Sequence, residues 1–409
     1  MFSMKINRFL PAAFIYFFVN TLGLPFGLSW MVVLAPLLYV WVLIRRKRET
    51  VLPFLIALSP FLFVHTVFTG VDLNVYAFSL LNFLMVYIFC QAFYTFLQEC
   101  SDPEAIFKKI LVVNFIICLL AIPLYFTPWD YFFWIAQNLT SGIDDYRRFK
   151  LFAYEPSMYA TIFVPILFFY LLQFFFRQNT IRSSWLIPML LLPLILSFSL
   201  GIILGTLVAI TALVLLYPRQ LLVKRRIFNT IVNITVLVGS ILFVLVFFFR
   251  NNTLFIRVAN IFSGADTSAK GRTADSYILA QKMLEGKNEW WGVGIGQVKL
   301  VGHDIVAGYY LYAKDFTATI PNVMAETLAV FGWWGVILRL TIEISLFFYT
   351  RVWTNYYRLM LFVFIFTYQF TGSFLTNLGE YVIWILAFTN VFRQFNVKIR
   401  QFSPVGQPV

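Results

Sequence analysis

The chain has 409 residues, of which 61% are apolar, 20% aromatic and only 12% charged, with a formal net charge of +13 and a mean hydropathy of +0.82. A water-soluble domain needs about a quarter of its residues charged to cover its surface. The composition therefore excludes a soluble enzyme, a disordered chain and a nucleic-acid-binding domain, and describes a polytopic membrane protein whose basic clusters act as topology signals and lipid anchors.

A bilayer core takes about 20 apolar residues per helix. Apolar runs fall at 9–24, 28–44, 51–68, 75–97, 106–126, 156–176, 185–217, 227–249, 320–349, 359–376 and 379–392. The weakly basic start, Met1 to Arg8, reads as the approach to a first span. A cleaved signal peptide is the alternative, but no small-residue cleavage pattern follows it. Cys90, Cys100 and Cys118 show neither metal-ligand nor disulfide spacing.

Basic residues mark every second link: Lys5 and Arg8, Arg45 to Arg48, Lys108 and Lys109, Arg177 and Arg182, Arg219 and Lys224 to Arg226, Arg351 and Arg358, and Arg393 to Arg400. The links 25–27, 69–74 and 377–378 hold none. The positive-inside rule then places both termini in the cytoplasm. The run 185–217 has basic links on both sides, so the chain must return to the side it left. The polar break Ser197-Phe198-Ser199-Leu200-Gly201 is its turning point, between two short helices, 185–199 and 201–217, or within a re-entrant hairpin. The expected fold is all-α and polytopic, about twelve transmembrane helices in a single integral membrane domain over residues 1–409.

Two long extracytoplasmic segments remain, 127–155 and 250–319. The second carries 14 charged residues, an amphipathic helix from Asp275 to Leu284 ended by Gly286, and Trp290 and Trp291, which suit a membrane–water boundary.

Five places could carry chemistry. In Tyr146-Arg147-Arg148-Phe149-Lys150-Leu151-Phe152-Ala153-Tyr154-Glu155-Pro156-Ser157, three cations and an acid stand at the mouth of a span. Pro156 suits the first turn of a helix, so one should start there. Two readings stand: a substrate site, or Glu155 capping the helix while the arginines touch lipid phosphates. Arg272, after the small-residue stretch Ser263 to Gly271, either grips a phosphate through paired guanidinium bonds or is merely solvated. Gly292-Val293-Gly294-Ile295-Gly296 either brings backbone N–H groups to an anion or is a tight loop; no strand–helix unit makes it a dinucleotide site.

Asn322 and Glu326, four apart, share a helix face at the entrance of the 320–349 run, where an acid faces a cavity or a loop arginine. Arg339 and Glu343, deeper in that run, form a structural pair. Of two histidines, His65 reads as packing and His303 as a loop residue without a motif. Asp144 and Asp145 either hold a divalent ion or form a solvated turn.

In order and spacing these pieces resemble the O-antigen and exopolysaccharide polymerases, the Wzy-type members of the O-antigen ligase superfamily. The resemblance lies in Arg148 seven residues before Glu155-Pro156, the break at Ser197 to Gly201, Arg272 opening a helix in a large outer loop, the Gly-x-Gly-x-Gly element, and Asn322-x-x-x-Glu326 followed by Phe331-Gly332-Trp333-Trp334-Gly335. It covers roughly residues 145–340 by motif.

The resemblance implies a helical membrane fold of the glycosyltransferase C type in a bacterial inner, or plasma, membrane. It implies transfer of a growing glycan from undecaprenyl diphosphate to the next lipid-linked repeat unit at the extracytoplasmic face, without cofactor or metal, with a chain-length regulator as a further partner. Ligases of the superfamily carry a His just before the Asn; Pro321 stands there in this chain, which favours polymerase. A ligase, or a lipid-linked glycan flippase, are the rival readings; the flippase is disfavoured because the charges gather at one membrane face. Arg148 and Arg272 are the expected diphosphate cations, supported by Arg147 and Lys270, with Tyr154 and Gly294 as further contacts. Glu155 is the first candidate base, Glu326 the second, and Asn322 orients a substrate oxygen.

Overall fold

The computed structural model of the chain describes residues 8–20, 22, 30–45, 51–137, 146–176, 180–218, 256, 259–260, 263–264, 266–310 and 316–397. The 227–249 run, Asp144 and Asp145, the basic cluster from Arg219 to Arg226 and the ends of the chain lie outside the described residues.

The described chain is mostly helical. α1 (Phe9–Phe14) runs into a π-helical turn, Ile15–Val19. α2 (Trp30–Arg45), α3 (Leu52–Val67), α4 (Leu73–Glu99) and α5 (Pro103–Leu124) follow. Asp72 and Asp102 cap α4 and α5, each accepting a backbone N–H from three residues on at 3.0 Å, and Pro103 sits where its missing N–H costs nothing. After the hairpin described below come α6 (Pro156–Phe176), α7 (Ser183–Ser197) and α8 (Leu200–Leu216). Then come α9 (Thr267–Arg272), α10 (Ala274–Glu285), α11 (Val298–Tyr310), α12 (Val323–Tyr349), α13 (Tyr356–Tyr368) and α14 (Leu378–Phe388). Four of these, α4, α5, α6 and α12, are long and apolar enough to cross a membrane.

The expected turning point exists. α7 ends at Ser197, Phe198 takes a left-handed conformation (φ 47°), and α8 starts at Leu200. α6 starts at Pro156, as its proline requires. It is the central helix: 78% of its apolar window is buried against protein, compared with 28% for α4. Aromatic rings fill the space around it, including Phe163, Phe168, Phe169 and, from α13, Tyr357 and Phe364. Gly205 of α8 lets that helix approach α13; a Cβ there would stand 2.9 Å from the Phe364 ring.

One element departs from the all-helical expectation. Within 127–155, β1 (Trp134–Gln137) pairs antiparallel with β2 (Tyr146–Phe149), with Ile135 opposite Arg148 and Ala136 opposite Arg147. The Trp134 indole donates to the Ala121 carbonyl at 2.9 Å, which fastens the hairpin to the end of α5.

The Gly-x-Gly-x-Gly element and the Phe-Gly-Trp-Trp-Gly element meet. α12 is broken at Gly332 (φ 65°), and the break frees backbone groups that an apolar surrounding cannot satisfy. The 289–294 loop satisfies them. The Val293 and Gly294 amides donate to the Ala329 and Val330 carbonyls at 2.9 and 3.0 Å, and the Trp333 and Trp334 amides donate to the Glu289 and Trp290 carbonyls at 3.0 and 3.1 Å. His65 fixes the loop from α3: one ring nitrogen lies 2.7 Å from the Trp291 carbonyl, the other 3.1 Å from the Tyr76 hydroxyl.

Candidate active site at the hairpin end of the bundle

Two apolar clusters divide the described core. One gathers α1, α2, α4 to α8, α13 and α14; the other gathers α3, α10, α11, α12 and the glycine loop. The charged residues of the site lie where the two meet.

Glu155 precedes α6 in the first cluster, and Arg272 closes α9 above the second. The Arg272 Nη2 stands 3.1 Å from Glu155 Oε2, and the Ser157 hydroxyl donates to the same oxygen at 2.9 Å. Both partners are partly open to solvent, with side chains 27% and 21% exposed. The sequence expectation put Arg272 at the start of a helix. It stands instead at the end of α9, because Thr273 (φ −109°, ψ −99°) breaks the chain before α10.

Asn322 holds Arg272 in place. Wholly buried, it caps α12 by accepting from the Ala325 amide at 3.0 Å. Its amide group donates to the Arg272 carbonyl at 2.7 Å and to the Phe370 carbonyl at 2.6 Å. All the common bonding capacity of that side-chain nitrogen is thereby used on the protein. One turn below, Glu326 accepts the Leu375 amide at 2.6 Å.

Arg148 is buried on β2, and its Nε donates to the Ser197 carbonyl at 2.9 Å, so it locks the hairpin onto the α7–α8 break. Arg147 pairs with Asp130 and lies over the Tyr125 ring, 5.7 Å from its centroid. Lys270 is exposed and 4.0 Å from Asp275, whose buried carboxylate also accepts from the Tyr309 and Tyr310 hydroxyls. That bond raises the Tyr309 pKa, and burial raises that of Tyr277 beside Asn322. Tyr154 is 73% exposed. Gly294 donates its amide to the Val330 carbonyl, and a Cβ on it would meet Val71 at 2.9 Å.

Tyr368 is a site residue that the sequence did not reveal. Its side chain is buried at the end of α13, beside Thr161 and within electrostatic reach of Arg272 and Glu155, and its ring flanks Gly201 of the α7–α8 break. A tyrosine in an apolar run carries no local signal of such a place.

Arg339 and Glu343 pair as expected, at 3.0 Å. The pair belongs to a larger network: Arg339 also binds Glu380, and Gln369 bridges Arg339 and Glu343 at 3.0 and 2.8 Å. His303 stacks on Phe316 and lies 3.0 Å from Asp304, on the exposed side of α11. Among the described residues no group of three or more His, Cys, Asp or Glu converges on a common point.

The arrangement offers one cation and one carboxylate on a shared rim above apolar helices, backed by a capped helix and a buried tyrosine. It can neutralise an anion and accept a proton within one small volume. No curated protein matches the chain. Residues 185–340 of this membrane protein, from α7 through the Arg339 position of α12, match the family model described as O-Antigen ligase.

Proposed function

We propose that the chain polymerises glycans, moving a growing chain from undecaprenyl diphosphate to a sugar hydroxyl of the next lipid-linked repeat unit at the extracytoplasmic face. The observation that carries this reading is the Arg272–Glu155 pair at 3.1 Å, in a chain whose residues 185–340 match the O-Antigen ligase family model.

The glycosyl bond to the diphosphate breaks and the acceptor oxygen takes its place on the anomeric carbon. The diphosphate leaves with the bonding electrons, and the Arg272 guanidinium balances that charge at a fixed site. The acceptor proton goes to a carboxylate. In the resting chain Arg272 and Glu155 neutralise each other. A diphosphate that takes over Arg272 leaves a Glu155 oxygen open to the acceptor hydroxyl. Glu326 is the less suited base, because its carboxylate bonds the Leu375 amide and not Arg272, so a diphosphate on Arg272 does not release it. Asn322 acts through Arg272 by holding its backbone. Arg148 holds the hairpin, and Arg147 and Lys270 add positive charge around the rim. The leaving group is already activated, so the reaction needs no metal or nucleotide.

Pro321 in place of the ligase histidine supports polymerase. A ligase that moves finished polymer to another acceptor is the second reading, favoured by the description of the matching family model. A deletion strain separates them: loss of a polymerase leaves single repeat units, and loss of a ligase leaves lipid-linked polymer. The direct test incubates the purified protein with lipid-linked repeat units alone. Longer lipid-linked chains are expected; unchanged units would overturn the proposal.

A further inference from the structure

Ionisable side chains deep in a membrane helix are rare and costly, and by default they mark function. Arg339 stands near the midpoint of α12, and two carboxylates share it. Its Nε lies 3.0 Å from Glu343 Oε1, and its Nη2 binds Glu380 Oε1 of α14. Gln369, at the end of α13, accepts from Arg339 at 3.0 Å and donates to Glu343 Oε2 at 2.8 Å. Gln369 and Glu380 are wholly buried, and Glu343 is 5% exposed.

The charges of this network do not balance. With both carboxylates ionised against one guanidinium, a negative charge is left inside the bundle without a counter-ion, which is strongly unfavourable. Two carboxylates that share a site avoid this by keeping a proton. The hydrogen bonds show which oxygen takes it. Both Glu343 oxygens accept a bond, one from Arg339 and one from Gln369. Glu380 gives Oε1 to Arg339, while its Oε2 is buried with no hydrogen-bond partner. The Trp384 indole Nε1 is also buried without a partner, and residues four apart on α14 share one face. A metal cation wants a shell of oxygens, and Glu380 Oε2 is the single carboxylate oxygen of the network left open.

We propose that Glu343 and Glu380 hold one exchangeable proton, seated on Glu380 Oε2, in a proton-binding site inside the bundle that is coupled to Glu326 at the rim. The Leu375 peptide joins the two places. Its amide donates to Glu326 at 2.6 Å, and its carbonyl accepts from the hydroxyl of Tyr381, the neighbour of Glu380, at 2.7 Å. Glu326 lies within electrostatic reach of Glu380, Arg339 and, from α11, Lys299. Tyr368 of α13 also reaches Glu380, and Cys90 of α4 reaches Tyr381. Tyrosine and cysteine side chains are ordinarily uncharged at neutral pH, so Glu326 is the neighbour whose ionisation acts on the site.

The test reads the infrared absorption of the full chain in an ester-free detergent, where a protonated carboxyl shows a carbonyl band that a carboxylate lacks. At neutral pH the native chain should show such a band, shifted by heavy water and by isotope-labelled glutamate. Glu326→Gln should keep the band and lower the pH at which it fades, because a like charge is gone. In that background Glu380→Gln or Glu343→Gln leaves one carboxylate for one guanidinium, so each should abolish the band. The isotope shifts need no variant and decide the matter where a substitution spoils the fold. A native chain without a glutamate carboxyl band, or a band that survives either added substitution, overturns the proposal. A fading pH unmoved by Glu326→Gln removes the coupling to the rim. Loss of the band on adding sodium chloride at constant pH puts a metal cation on Oε2 and overturns the proton. No readout involves glycan transfer, so the site stands or falls apart from the function proposed above.

Discussion

Arg272 and Glu155 are 117 residues apart in the chain, yet the guanidinium of one rests 3.1 Å from the carboxylate of the other. The pair joins two halves of the core that also meet through the Asn322–Phe370 and Arg339–Glu380 bonds. Because both side chains remain partly open, the pair contributes only about 0–1 kcal/mol to stability. The role proposed for it is therefore in the reaction, not in folding.

That difference is measurable. Arg272→Ala should reduce chain extension about 100- to 1,000-fold, the usual effect of removing one group that stabilises a developing anion, while thermal unfolding in detergent hardly moves. Glu155→Gln should also abolish extension. The exchanged double variant, Glu155→Arg with Arg272→Glu, should re-form the ion pair and keep the melting temperature without restoring activity. Recovered extension in the exchanged variant would show that the pair acts only as a brace.

Asn322 separates capping from positioning. Asn322→Ala removes the α12 cap, worth about 0.5–2 kcal/mol, and leaves the Arg272 and Phe370 carbonyls without their donor. Asn322→Ser keeps an oxygen that can cap but cannot donate to both carbonyls. The expected result is a melting temperature for the serine variant above that of the alanine variant, with extension low in both. Full extension in Asn322→Ser would mean that the Arg272 backbone needs no holding.

Much of this was legible in the sequence, and for physical reasons. In a chain with so few charges, an acid at the edge of an apolar run stands out, as Glu155 does; Arg272 stands out between a small-residue stretch and an amphipathic helix, and Asn322 by sharing a helix face with Glu326. Pro156 and the break after Ser197 are local backbone signals, and the helices obey them. The hairpin was missed because four-residue strands leave too short an alternation to separate from a loop. The glycine loop was open between anion site and packing because only its partner decides, and that partner, Gly332, lies about forty residues further on. Tyr368 and the Ser197 carbonyl left no trace: one looks like any aromatic in an apolar helix, the other is backbone.

Lys150 gives a pH dependence. Burial at the foot of the hairpin disfavours its charged form and lowers its pKa from 10.5. The unfolded chain keeps that proton up to the ordinary lysine value, and the folded chain releases it earlier. The stability of the fold should therefore rise with pH between the two values, where the unfolded state binds more protons. Lys150→Met should raise the melting temperature at neutral pH, and its advantage should shrink as pH approaches 10.5. A constant advantage across that series would assign the effect to packing rather than to the charge.

The polar network inside α12 should respond to balance rather than to any one residue. Arg339→Met leaves Glu343 and Glu380 buried beside each other without their cation, and loss of one partner from a buried ion pair costs about 3–5 kcal/mol. Adding Glu343→Gln and Glu380→Gln removes the uncompensated charge and should recover most of that loss in thermal unfolding. A triple variant no more stable than Arg339→Met would locate the cost in packing around the arginine stem.

Gly292 and Gly332 form the closest backbone approach between the loop and α12. A Cβ on Gly292 would stand 2.4 Å from the Val330 carbonyl oxygen, and one on Gly332 would stand 2.3 Å from the Trp290 carbonyl carbon. Both glycines also have positive φ, 78° and 65°, which costs an ordinary residue about 1–3 kcal/mol. The atoms in the way are backbone, so neither side can yield without giving up the four amide–carbonyl bonds that repair the broken helix. Either alanine variant should lower the melting temperature sharply, and the double variant should be little worse than each single one, because the same contact is lost once. Gly308 is the control: nothing lies within 4 Å of its position in α11, so Gly308→Ala should be neutral or more stable by up to about 1 kcal/mol. Additive losses in the double variant would mean that the two glycines serve separate contacts, and that the loop does not repair the break in α12.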